Sequence, residues 1–177
     1  MLAVVALATL LIPRNSDGVD FQFADQSVLK SPLIVFVVRH AEKVDESQDS
    51  DLSPVGAQRA NTISTMLRDC GIEHVHSTDF KRTRRTAAPT ANKMNLDVKL
   101  YDASDSSALA ERMTTIRGRH LVVGHSNTVP ELVKLLGGDP GTDIGKSEYD
   151  RLYIVSVGKD ETTTLLMRFG AQAESGK

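Results

Sequence analysis

The chain has no tryptophan, a single cysteine, few aromatic residues and no marked excess of either charge. Each scarcity closes off a class of protein. Cys70 cannot form an internal disulfide, so these 177 residues must hold together by burial alone, which a chain of this length can do. Cys70 stands at an apparent helix end before Gly71, with nothing in its setting to activate the thiol, and reads as packing. A net charge of −2 gives no general attraction to nucleic acid or to an anionic membrane, so no nucleic-acid partner is expected. Long apolar runs are missing too. Residues 1–12 (MLAVVALATLLI) form an uncharged apolar stretch too short to span a bilayer comfortably, but of the length of a signal-peptide core. No basic segment precedes it and no clean small-x-small cleavage site follows. It has the period of neither a strand nor a helix. We therefore expect residues 1–30 to be a signal-like or membrane-anchoring segment and linker, and the protein to be exported, periplasmic or secreted. In the alternative, residues 1–12 belong to the fold of a cytoplasmic protein.

What the chain does have is an alternation of apolar strands and amphipathic helices from Leu33 onward, the pattern of a parallel α/β sheet. Residues 33–38 (LIVFVV) read as a strand buried on both faces, and Arg39 and His40 follow at once. Ligands of open α/β sheets collect at the carboxyl ends of the strands, where these two side chains would emerge. Residues 120–124 (HLVVG) repeat the arrangement, with His125 at the strand's end and a helix opening at Thr128. We expect Thr128, Pro130 and Glu131 to form a capping box there, leaving an amino terminus suited to an anion beside His125.

Several other signals are weaker. The acidic loop over residues 45–51 lacks the glycine and the terminal glutamate of a calcium loop. Ser53-Pro54 opens a helix that carries Ala60, Ile63, Met66, Leu67 and Cys70 at helical spacing and ends at Gly71. His74 and His76 share one face of a short strand; with no third ligand nearby in sequence, they are expected to be a solvated edge pair. A helix begins after Asp79 with KRTRR, and Pro89 should kink or break it. A third strand over residues 97–101 and a helix over 107–116 follow. Gly145-Lys146-Ser147 ends like a nucleotide-binding P-loop, but proline stands at 140, where that motif needs glycine, and the segment follows a helix. Residues 152–157 and 162–169 should form a C-terminal hairpin, and 171–177 a flexible tail.

Two strand-end histidines and nearby arginines would suit a phosphoryl group, with guanidinium groups holding its oxygens while an imidazole nitrogen attacks phosphorus. Val38-Arg39-His40-Ala41-Glu42-Lys43 resembles the arginine–histidine signature of the histidine phosphatase superfamily, also called the phosphoglycerate mutase-like family. Residues 51–60 (DLSPVGAQRA) are similar to that family's segment opening the first helix. Residues 77–87 resemble its second-arginine segment, and residues 122–128 its second histidine. The resemblance implies a three-layer α/β/α sandwich with a mostly parallel sheet over residues 31–170, a C-terminal hairpin, and no metal or cofactor. It implies that His40 is the nucleophile and that Arg39, Arg82 and His125 grip the phosphate. Ala41 replaces the commoner glycine, Ser126 stands where one branch has aspartate, and no glutamate follows the third strand.

We place the proton donor at Asp102, because the loop after the third strand emerges at the same sheet edge as His40 and His125, with Asp105 as the other carboxylate there. Glu42 and Asn127 lie beside the site as candidate substrate contacts, whereas Arg84 and Arg85 read as surface charges. The expected activity is hydrolysis of a phosphate monoester, either a small molecule or a phosphoprotein, through phosphohistidine, as in the small phosphatase branch. The alternatives are a mutase moving phosphate within a small metabolite and a phospholigand-binding module without turnover. His125 follows Arg82 by only 43 positions, which leaves little room for an insertion enclosing the substrate and favours hydrolysis.

Overall fold

The structure is a computed structural model that describes residues 32–170. The expected export or anchoring segment and the flexible tail lie outside the described residues. Ten elements alternate: β1 (Leu33–Arg39), α1 (Pro54–Met66), β2 (His74–Thr78), α2 (Lys81–Met94), β3 (Val98–Tyr101), α3 (Ser106–Ile116), β4 (Gly118–Gly124), α4 (Thr128–Leu135), β5 (Arg151–Val157) and β6 (Thr162–Arg168). They build one six-stranded sheet in the order β3-β2-β4-β1-β5-β6. The first four strands are mutually parallel, and β5 and β6 run antiparallel as the expected hairpin.

Alternation along β1 divides the core in two. Leu33, Val35 and Val37 pack with α3 and α4 (Leu109, Met113, Val129, Leu132, Val133) on one face. Phe36 and Val38 pack with α1 and α2 (Ile63, Ala87, Ala91) on the other. Both faces of the strand are thus covered, which is why its sequence is a continuous apolar run instead of an alternating one. The result is the three-layer sandwich that the resemblance implies.

Local chemistry explains the start of α1. Ser53 Oγ accepts from Gly56 N (3.1 Å) and Pro54 occupies the first turn of α1. Gly56 has to be glycine, because a Cβ there would lie 2.3 Å from the Glu42 carbonyl oxygen.

Three expectations fail. α2 runs through Pro89 to Met94 without a break. Thr86, Ala87, Thr90 and Ala91 are buried on either side of the proline, and Ser64 of α1 donates to the Pro89 carbonyl (3.0 Å), so packing on α1 overrides the lost hydrogen bond. The capping box at α4 does not form: the Thr128 hydroxyl accepts from His125 N (2.9 Å), while Glu131 accepts from Ser106 Oγ (3.0 Å). Finally, β2 is an interior strand between β3 and β4. His76 is therefore fully buried and hydrogen-bonded to His120 (3.0 Å), and His74 is half-buried against the same ring.

Candidate active site

β1 and β4 pair in parallel with Arg39 opposite Gly124, so the two residues that follow, His40 and His125, emerge together at the sheet's carboxyl edge. His40 N donates to the Gly124 carbonyl (2.9 Å), and the two imidazole rings meet edge to face with centroids 5.5 Å apart. A side chain at position 124 would collide with Thr128 Oγ1 (2.8 Å) and Tyr101 Oη (2.9 Å), so glycine is what lets α4 close against the strand end. The cleft there holds about 350 Å³ and is lined by Arg39, His40, Lys43, Phe80, Arg82, Ala103 and residues 125–128.

His40 is nearly inaccessible, at 4% exposure. Its Nδ1 lies 2.8 Å from the Ala41 carbonyl oxygen. A carbonyl can only accept, so Nδ1 carries the proton and Nε2 keeps its lone pair. Burial, aided by the charges of Arg39 and Arg82, lowers the pKa of His40 to about 3. Burial likewise lowers that of His125 to about 4. Both rings are neutral at physiological pH, and the ring with the free Nε2 can act as a nucleophile.

The two arginines are held in different ways. Arg39 is buried, and its Nη1 donates to the carbonyls of Gly145 (2.8 Å), Lys146 (2.9 Å) and Glu148 (2.9 Å). Its guanidinium also lies over the Tyr149 ring, 4.2 Å from the centroid. The loop that resembles the end of a P-loop thus holds an arginine with its carbonyls instead of a phosphate with its amides. Arg82 is half-exposed; its Nη1 donates to Gln48 O (2.8 Å), and its guanidinium lies 4.4 Å from the Phe80 centroid. In both arginines Nε is buried and has no partner. A buried N–H without an acceptor is costly. Two of them, near a histidine with a free lone pair, are what a tetrahedral oxyanion would satisfy. His125 Nε2 lies 2.9 Å from Thr78 Oγ1, and its ring packs edge-on against Phe80 (5.3 Å).

The structure therefore brings together Arg39, His40, Arg82 and His125, and places Asn127 on the same wall. It does not bring Asp102 there. Asp102 Oδ1 accepts from the backbone N (2.8 Å) and the hydroxyl (2.7 Å) of Ser104, its side chain is solvated, and it borders a separate depression with Leu100, Tyr101 and Asp105. The strand does end at the expected edge, but the turn that follows sends Ala103 into the cleft and folds the carboxylate back on its own loop. Asp105 caps α3 by accepting from Ala108 N (3.0 Å). Glu42 is occupied by Arg59, with contacts of 2.7–3.0 Å. Arg84 and Arg85 pair on the surface with Asp79 and Asp51.

Phe80, Tyr149, Lys43 and Thr78 are cleft or supporting residues that sequence reasoning missed. For Tyr149, 110 positions from Arg39, no local pattern exists to find it. Phe80 directly precedes the basic run and could have been suspected as its platform. Among the described residues, no group of three or more His, Cys, Asp or Glu is arranged to hold a metal ion. No helix among them is long and apolar enough to cross a membrane.

Residues 35–105 match the family model of the histidine phosphatase superfamily, branch 1. Over 97 residues the chain is 34% identical to the probable phosphoglycerate mutase GpmB of Escherichia coli O139:H28, covering 50% of this chain and 43% of that protein. It thus spans less than half the length of that curated relative. The protein histidine phosphatase SixA, solved with tungstate, superposes with a TM-score of 0.62 at 21% identity, over 77% of this chain and 97% of that one. A mycobacterial glucosyl-3-phosphoglycerate phosphatase superposes with a TM-score of 0.60 at 12% identity, over 80% and 100%. These likenesses show the phosphoglycerate mutase-like fold. The matched segment carries Arg39, His40 and Arg82 in the geometry just described.

Proposed function

We propose that the protein hydrolyses phosphate esters through a phosphohistidine formed on His40. One observation carries this reading: the Nδ1–H of His40 is spent on the Ala41 carbonyl, leaving Nε2 as a nucleophile beside two arginines whose buried Nε donors lack partners. In the first step Nε2 attacks phosphorus, the bond from phosphorus to the leaving oxygen breaks, and the phosphoryl group rests on His40. In the second step water attacks phosphorus, the P–N bond breaks, and phosphate leaves with His40 restored. Arg39 and Arg82 neutralise the equatorial oxygens in both transition states, and His125 stands beside them as a neutral hydrogen-bonding group. The histidine phosphatase solved with tungstate, a phosphate-like oxyanion, supports an anion pocket of this kind.

No carboxylate is among the residues lining the cleft, so the leaving group departs without a carboxylic acid to protonate it. That favours substrates with a stable leaving anion or base: aryl phosphates, or a phosphorylated histidine side chain of the kind named for the SixA relative. The mutase reading rests on the relative named as a mutase. An open cleft with few enclosing residues disfavours it, since water reaches the intermediate. We also retain export as part of the proposal, on the composition of residues 1–12. Fractionation of cells expressing the full chain tests it, and recovery only in the cytosol would overturn it.

The enzymatic proposal is tested by assaying an aryl phosphate with and without chelator, with and without vanadate. Expected is turnover that survives the chelator, is inhibited by vanadate, and traps an acid-labile phosphoenzyme. Turnover abolished by chelator and restored by magnesium would overturn the metal-free mechanism. Binding of vanadate with no turnover of any phosphate would favour the binding module.

A further inference from the structure

The two edges of the sheet differ. β3 is four residues long and carries Lys99, a protected edge. β6 is seven residues long, TTTLLMR, with no proline, no glycine and no charge before Arg168. Leu165, Leu166 and Met167 are all exposed. Leu165 and Met167 stand opposite Ile154 and Leu152 on the α1/α2 face, and Leu166 stands opposite Tyr153 on the α3/α4 face. An edge strand apolar on both faces has the composition of an interior strand.

The backbone fixes how it could be covered. Gly158 N donates to Glu161 O at one end of the hairpin (2.9 Å), and Phe169 N to Asp150 O at the other (3.0 Å). Bonded and non-bonded pairs alternate in an antiparallel ladder. Thr163, Leu165 and Met167 therefore spend their backbone groups on β5, whereas Thr162, Thr164, Leu166 and Arg168 turn theirs to the open edge. A two-fold axis at Leu165 pairs Thr164 with Leu166 and Thr162 with Arg168 of a second copy, so every outward group meets an outward group over the whole strand. The match is complementary in hydrogen bonding and in apolar surface. We propose that two copies of this chain pair antiparallel through β6 into a continuous sheet, with Leu165 on the axis.

Light scattering of the full chain across a concentration series should show a mass that doubles as concentration rises. Leu166→Pro should hold it at the monomer mass: the N–H it removes faces the open edge and serves no bond to β5. Circular dichroism and activity check that it folds. Should that variant unfold, Leu165→Lys with Met167→Lys makes the same test without touching the backbone. The register has its own readout. In a Cys70→Ser background, Leu165→Cys should oxidise to a crosslinked dimer, because a non-bonded pair has Cα atoms ~4.5 Å apart, within disulfide reach. Thr163→Cys should not, since its symmetry mate lies ~13 Å along the strand. A monomer at every concentration, a dimer unaffected by the folded edge variants, or equal crosslinking at 163 and 165 would each overturn the proposal.

Discussion

The five histidines form two groups on the same sheet, and they differ in what their nitrogens have left to do. Toward the amino ends of the parallel strands, His74, His76 and His120 cluster beneath α3. His120 Nε2 lies 2.7 Å from the Arg117 carbonyl, so it carries the proton, and His120 Nδ1 accepts from His76 Nε2. At the carboxyl ends, His40 and His125 face the cleft. Burial lowers the pKa values of both groups alike: His76 to about 3 and His120 to about 4, against about 3 and about 4 for His40 and His125. A perturbed pKa therefore does not separate the chemical pair from the structural cluster. Unspent hydrogen-bonding capacity does: the His76–His120 pair satisfies itself, whereas His40 keeps a lone pair among donors without acceptors.

Substitutions should make the same division, and the largest effect comes from the cleft. His40→Ala should abolish turnover and the phosphoenzyme while vanadate still binds, measured by rapid quench and by vanadate protection against thermal unfolding. If that variant still yielded phosphoenzyme, the nucleophile would be elsewhere. Arg82→Ala and Arg39→Ala should each lower the rate by roughly 10²–10³, as other charge-stabilising groups do. The two should differ in melting temperature. Arg39→Ala strands three half-buried carbonyls of the 145–148 loop and should melt lower, while half-exposed Arg82 gives up one bond to a loop. Equal melting temperatures would show that the Arg39 carbonyl cage contributes nothing to folding.

The amino-end cluster should respond in stability alone. His120→Leu leaves the buried His76 N–H without an acceptor and should cost about 1–3 kcal/mol, with turnover per folded molecule unchanged. The pH dependence has a definite sign. In the folded state both rings titrate below the ordinary histidine value of about 6.5, so their neutral forms are favoured there. Their contribution is complete above about pH 6.5 and is lost as pH falls through about 4 for His120 and about 3 for His76. The wild-type melting temperature should decline across that window and that of His120→Leu less steeply. Parallel curves would show that the pair does not govern acid stability.

How far the sequence could be read follows from the range of the forces involved. Strand-end placement of Arg39, His40 and His125 was legible because a buried apolar run announces its own end, and parallel pairing then aligns the ends. The α1 cap was legible because Ser53-Pro54 is a local device. The interior position of β2 was not, because strand order depends on pairing partners dozens of residues apart. For the same reason, the solvated reading of His76 failed. α2 continues through Pro89 because α1 supports it, a tertiary contact invisible in KRTRRTAAPT. Arg39's cage of carbonyls comes from a loop more than a hundred positions away, and no pattern around Arg39 points to it.

Asp102 gives the smallest expected effect and the finest test of where the cleft ends. Strand topology alone puts it at the edge that carries His40 and His125, yet the turn after Tyr101 commits its carboxylate to Ser104 and leaves Ala103 facing the cleft. Those hydrogen bonds hold its pKa below the usual carboxylate value, the wrong direction for a group that must carry a proton at neutral pH. Asp102→Asn should therefore leave hydrolysis of nitrophenyl phosphate and of an alkyl phosphate both unchanged. The alkyl substrate should be slow with wild type and variant alike, because no carboxylic acid reaches its leaving oxygen. Selective slowing of the alkyl phosphate by Asp102→Asn, with nitrophenyl phosphate spared, is the signature of a true general acid. It would mean that the loop over residues 102–105 rearranges when substrate binds, and that the leaving oxygen takes its proton from a group this arrangement holds outside the cleft.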